Sequence, residues 1–132
     1  FKAAARSAPN DAAVHNNLGF ALMAAGRHAE AVEVLREALM LDGSQDRTRN
    51  NLGFALAVTG DDDGAWRVLK AGSHEIDART NLALAQEVRG DEAAALRSYE
   101  RALALDPSHA GARAAVHRLT TTDPPTPNGS TE

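Results

Sequence analysis

The side chains best suited to chemistry are five histidines, His15, His28, His74, His109 and His117, and the acidic run Asp61-Asp62-Asp63-Gly64. Two histidines one helical turn apart, with a carboxylate between them, would hold zinc and activate a water. None of the five has a partner in that pattern, so solvent-facing histidines and no metal site are expected. The acidic run would suit calcium, but it lacks the spaced ligands and closing Glu of a calcium loop. Carboxylates at the start of a helix stabilise its positive end, and the run is expected to open one. With no cysteine, disulfides and thiolate metal sites are excluded. No Ser-His-Asp arrangement, phosphate loop or Gly-rich dinucleotide turn is present. Neither catalysis nor a cofactor is expected.

Composition points to the elements that carry these residues. The chain of 132 residues is 43% hydrophobic but only 4% aromatic, and Ala and Leu dominate its apolar set. Ala and Leu lose little entropy in a helix, whereas strands favour β-branched and aromatic residues, so the chain should be all helical. The net charge is −4 and the basic residues are scattered. No basic block exists to displace counterions, and a nucleic-acid partner is not expected. No apolar run approaches the roughly 18 residues of a membrane span.

The organisation is periodic. Asn16-Asn17-Leu18-Gly19-Phe20-Ala21-Leu22 returns as Asn50-Asn51-Leu52-Gly53-Phe54-Ala55-Leu56, with 34 residues from Leu18 to Leu52. A third copy, Asn81-Leu82-Ala83-Leu84-Ala85, follows 30 residues later, so the second unit is four residues short. Val14, Leu18, Ala21, Leu22 and Ala25 fall on one face of a helix, and Ala31, Val32, Leu35, Ala38 and Leu39 form a second buried stripe. Gly19 and Gly53 are expected where two helices approach closely, since glycine costs a helix about 1 kcal/mol against Ala. Gly26, Gly60 and Gly90 fall in the turns, and Gly72 at a helix end. No unit can bury its stripe alone, so the units must stack.

A helix-turn-helix unit of this length and wording resembles the tetratricopeptide repeat. The resemblance implies an all-α, right-handed solenoid over residues 1–119. It comprises a leading half-repeat at 1–9, repeats at about 12–45, 46–75 and 76–109, and a capping helix at 110–119. Residues 120–132, rich in Thr, Pro, Gly and Ser, read as a disordered tail. Residues 1–7 read as the end of a second helix cut from a longer array, an open edge through which two copies could pair. The doubled Asn-Asn-Leu-Gly-Phe-Ala-Leu and the shortened repeat also resemble the TadD family of tight-adherence pilus assembly proteins, bacterial lipoproteins. That likeness would imply a periplasmic or outer-membrane-associated setting; without it a cytoplasmic one is expected.

In tetratricopeptide arrays the first helix of each repeat lines a concave groove. Phe20 lies ~200° from Leu18 around its helix, away from the buried stripe. Asn16 and Met23 share its face, as do Asn50, Phe54, Ala57 and Val58 in the second repeat and Thr80, Leu84 and Glu87 in the third. Asn17, Asn51 and Asn81 lie at the edge. The resemblance thus implies a protein or peptide partner held by Asn amides, which both donate and accept. The two Phe rings would take apolar side chains, with Arg47, Asp77 and Glu87 setting charge preference. An alternative is that the amides tie neighbouring helices together and the rings fill gaps. A chaperone-type carboxylate clamp would match at Asn17 and Asn51, but Ala13, Asp77 and Asn81 stand where its cations belong. Rival readings are a structural or self-associating module, or a regulatory segment of a larger enzyme.

Overall fold

The computed structural model of the chain describes residues 11–121. Within them lie seven helices and no strand: α1 (Ala12–Ala24), α2 (His28–Leu41), α3 (Asp46–Val58), α4 (Asp62–Gly72), α5 (Glu75–Arg89), α6 (Glu92–Leu105) and α7 (Ala110–Thr120). The expected half-repeat at 1–9 and nearly all of the expected tail fall outside the described residues.

The helix ends follow from local chemistry. Asp11, Asp61 and Asp91 cap α1, α4 and α6, each accepting a backbone N–H of the first turn at 2.9–3.0 Å. The acidic run thus opens α4. His109 does the same for α7 through its Nδ1, 3.0 Å from the Ala112 N–H. The turns inside the pairs are one structure used three times. Gly26, Gly60 and Gly90 have φ of 78°, 103° and 92°, a region only glycine enters without cost. The following N–H reaches back to Leu22, Leu56 and Gln86 carbonyls at 2.8–2.9 Å, closing the helix in a Schellman motif.

α1 packs on α2, α3 on α4 and α5 on α6, and each pair stacks on the next, with α7 against α6. The glycines of α1 and α3 mark the closest approach. A Cβ on Gly19 would lie 2.5 Å from two atoms of Leu35, and one on Gly53 would lie 2.6 Å from Leu69 Cδ2. Both leucines are fully buried. In the third pair the same places hold Ala83 and Tyr99, also buried together.

The core divides in two. One apolar cluster runs from Leu18 to Ala85, and a second joins Ala83, Ala95, Tyr99, Ala102, Ala112 and Ala115. Gln86 stands where Leu22 and Leu56 stand in the earlier repeats, and with Ser98 it forms a buried polar seam. The Ser98 hydroxyl donates to Gln86 Oε1 at 2.7 Å, and Gln86 Nε2 donates to Asp62 Oδ2 at 3.1 Å. Both groups are therefore satisfied, as burial of polar atoms requires. Arg89 adds a fork onto Asp62 at 2.8 and 3.2 Å and a bond to the Ala57 carbonyl at 2.7 Å.

Some expectations need correction. His15 is not solvent-facing: it is buried, its Nδ1 2.9 Å from the Asp11 carbonyl. Ala25 falls past the end of α1 and is exposed, so it leaves the buried stripe.

Candidate partner-binding groove

The first helices α1, α3 and α5 lie side by side, and three hollows open along them. Asn16, Asn17, Phe20, Arg47 and Asn51 surround one of about 330 Å³. Phe20, Met23, Asn50, Asn51, Phe54 and Asn81 surround a second of about 380 Å³. A third, about 640 Å³, is bounded by Asn50, Asp77 and Asn81 together with Asp46 and the Gly72-Ser73-His74 corner. The hollows share Phe20, Asn51, Asn50 and Asn81, so they form one channel across the three repeats.

The channel changes character along its length. Phe20, 60% exposed, supplies apolar surface at the α1 end. Its counterpart Phe54 is half-buried and packs on the core, as do Met23 and Val58. The α5 end is polar and carries two carboxylates, Asp46 and Asp77, both exposed. Arg47, also exposed, stands beside Phe20. The channel thus offers a cation and an aromatic ring at one end and carboxylates at the other.

The asparagines divide into ties and free edges. Asn51 Nδ2 donates to Asn16 Oδ1 at 3.2 Å, linking α3 to α1. The Ser73 hydroxyl donates to Asn50 Oδ1 at 2.9 Å, linking the α4–α5 corner to α3. Asn16 is buried, only 8% exposed, so it holds the helices together rather than facing open groove. Each amide keeps unused donors or acceptors after these bonds. Asn17 and Asn81 make no side-chain hydrogen bond with a described residue.

Two expected groove residues lie outside these hollows. Val58 and Leu84 line none of the three hollows; Leu84 is 48% exposed on α5, and Val58 is packed inward. Glu87, expected to tune charge, is withdrawn from the groove. It accepts from the Tyr99 hydroxyl at 2.6 Å and from Arg118 of α7. The Arg118 hydrogen bond holds its carboxyl below the usual range, and burial with the Glu87 contact pushes Tyr99 up. Sequence reasoning missed Asp46, one helical turn before Asn50, and the Ser73-His74 corner, which no periodicity marks.

Among the described residues no three His, Asp or Glu side chains gather to hold a metal, and no helix is long and apolar enough to cross a membrane. The tetratricopeptide-repeat models match at residues 12–44 and again at 76–109. No curated protein matches the chain by sequence. Among solved structures, two crystal structures of MamA are similar at 22% identity. They have TM-scores of 0.61 and 0.63, and the matches cover 87% and 89% of this chain and 65% and 71% of those chains. A thermophilic tetratricopeptide protein of Thermus thermophilus is similar at 22% identity and a TM-score of 0.60, over 89% of this chain and 68% of that one. The chain therefore spans about two thirds of the length of these structures, and the likeness shows the fold. With the 34-residue period, the Gly-against-Leu helix pairs and both model matches in agreement, the chain belongs to the tetratricopeptide-repeat family, whose arrays are generally non-enzymatic scaffolds for protein–protein interaction.

Proposed function

We propose that the channel along α1, α3 and α5 receives a segment of a partner protein. The observation that carries this is Phe20: a large aromatic side chain, 60% exposed, between two hollows rimmed by Asn amides. An exposed ring on an inner face is costly to leave in water and valuable to cover. Asn17, Asn51 and Asn81 supply donors and acceptors for the segment's backbone, and Phe20 with Met23 and Phe54 takes an apolar side chain. Arg47 favours an acidic residue beside that side chain, and Asp46 and Asp77 favour a basic one toward α5. In this reading the resemblance of the Asn-Asn-Leu-Gly-Phe-Ala-Leu wording to TadD-type proteins supports a scaffold in the bacterial envelope, in pilus assembly.

The experiment is a titration of the natural partner against Phe20→Ala, with a thermal melt in parallel. Loss of a central aromatic anchor should weaken binding by about 2 kcal/mol or more, close to thirtyfold. The melt should barely move, since the ring is mostly in solvent. Phe54→Ala is the poorer probe because that ring packs on the core. Partner binding unchanged by Phe20→Ala would remove the channel from consideration.

A further inference from the structure

A fourth cleft lies on the opposite side of α5 and shares no residue with the groove. It opens between α4 and α6 over a floor of Leu82, Gln86 and Ser98, and encloses about 280 Å³. Three arginines line it: Arg79, Arg97 and Arg101. Arg79 stacks on Trp66, its guanidinium carbon 3.8 Å from the ring centroid, a cation–π contact that fixes the indole at the cleft wall. Arg97 and Arg101 stand one turn apart on α6, exposed, and form no hydrogen bond or ion pair with a described residue.

The acidic groups at the cleft do not cancel this charge. Asp62 is bound by Arg89 and Gln86. Arg79 is paired with Glu75 at 3.4 Å and Arg97 lies within the field of Asp91, so of the carboxylates lining the cleft Asp63, exposed on the rim, is the one left facing Arg97 and Arg101. The basic character is also local. The places of Arg97 and Arg101 are taken by Arg67 and Ala71 in α4 and by Glu33 and Glu37 in α2, so the pair occurs in α6 alone and the repeat architecture does not require it.

We propose that this cleft binds an acidic, extended segment of a partner protein, its carboxylates on Arg97 and Arg101 and an apolar side chain against Trp66. Guanidinium forks suit carboxylates, and two of them one helical turn apart can engage alternate acidic residues of an extended strand. A nucleic acid fits less well. Three arginines are few for a phosphate backbone, Asp63 repels it, and the chain as a whole carries a charge of −4.

Trp66 is the only tryptophan, so indole emission reads this cleft alone. The test titrates the intact chain with a synthetic Glu-Leu-Glu-Glu-Leu-Glu peptide and follows that emission. A saturable change that weakens with added salt is expected, and none with a peptide carrying Lys for Glu. Arg97→Ala with Arg101→Ala should weaken binding by about tenfold or more, as loss of charge-assisted contacts predicts, with an unchanged melt. Three results would overturn the proposal. One is emission that never changes, or changes equally in the double variant. Another is oligothymidylate producing the same saturable change. The third is a concentration-dependent change without peptide that Glu33→Lys with Glu37→Lys abolishes, which would make a second copy of the chain the occupant.

Discussion

The two junctions between successive repeats solve the same problem differently. After Ala38, α2 runs on to Leu41 and hands over through Asp42-Gly43-Ser44-Gln45. Asp42 organises that turn, accepting the Ser44 N–H at 3.0 Å, the Ser44 hydroxyl at 2.6 Å and the Gln45 amide at 3.0 Å. Asp106 and Ser108 repeat the arrangement before α7, at 3.0 and 2.7 Å. Between α4 and α5 all of this is missing. α4 stops at Gly72, in the place of Ala38, and only Ser73 and His74 precede α5. Gly72 is needed because Arg49 crosses there: a Cβ would meet Arg49 Cδ at 2.9 Å and its Cβ at 3.2 Å. As a result α5 lies against α3 along far more of its length than α3 lies against α1. The repeat can therefore lose the last turn of a second helix without losing its stacking. What changes is the spacing of the first helices, and with it the shape of the groove.

The largest effect tests what the two junctions share. Each follows a helix pair locked by Gly against Leu, so Gly19→Leu and Gly53→Leu should each destabilise by about 1–3 kcal/mol through overpacking. Equal losses in a denaturant melt are expected. A tolerated Gly53→Leu beside a damaging Gly19→Leu would mean that the shortened α4 holds Leu69 loosely, and the pairs would no longer be comparable.

A smaller effect tests what they do not share. Gly72→Val should destabilise by about 1 kcal/mol, because Arg49 must give way. A Cβ on Gly43 would meet nothing nearer than the Leu39 carbonyl at 3.6 Å, and Gly43→Val should stay within about 0.5 kcal/mol of the parent. Reversed rankings in paired melts would show that the short junction has slack.

The smallest effect is local and depends on pH. Hydrogen bonds from the Ser44 hydroxyl, Gln45 and the Ser44 backbone lower the Asp42 carboxyl to about 2. A carboxyl whose pKa is depressed on folding contributes stability above its unfolded value, near 4, and loses it as the pH falls through the folded one. Amide exchange across residues 42–46 should therefore speed up between about pH 4 and pH 2, beyond its intrinsic change. Asp42→Asn should flatten that response. The corner at Ser73 rests on a neutral amide and should show no such window. An identical acid response at both junctions would separate the turn's stability from Asp42.

The helices were legible because their signals are local. The 34-residue period, the paired stripes, Gly19 and Gly53 at close approach and the acidic opening of α4 each follow from spacing along one or two helices. The groove was readable in part for the same reason. Phe20, Asn17, Asn51 and Asn81 face where a 100° rotation per residue puts them. The misses are non-local. Glu87 shares that face by rotation but is captured by Tyr99 and by Arg118, 31 residues away. Asn16 is drawn into a tie with Asn51. Phe54 still lines the second hollow but is half-buried against the core, unlike its counterpart Phe20. The cleft of Trp66 and Arg79 needs three helices from two repeats to meet, and neither residue belongs to the repeated wording.

The polar seam at Gln86 and Ser98 bears on cooperativity. An array folds as one unit only if its neighbouring parts are bound together as tightly as each part is bound within itself. Here the apolar clusters on either side are bridged by hydrogen bonds and the Arg89 fork, interactions that acid, salt and urea affect differently from apolar contact. The chromophores are divided the same way: the single Trp66 packs on the first cluster and the single Tyr99 lies inside the second. Indole emission therefore follows the melting of the first cluster and phenol absorbance that of the second, so the chain carries its own two-channel record of whether the seam holds while the repeats come apart.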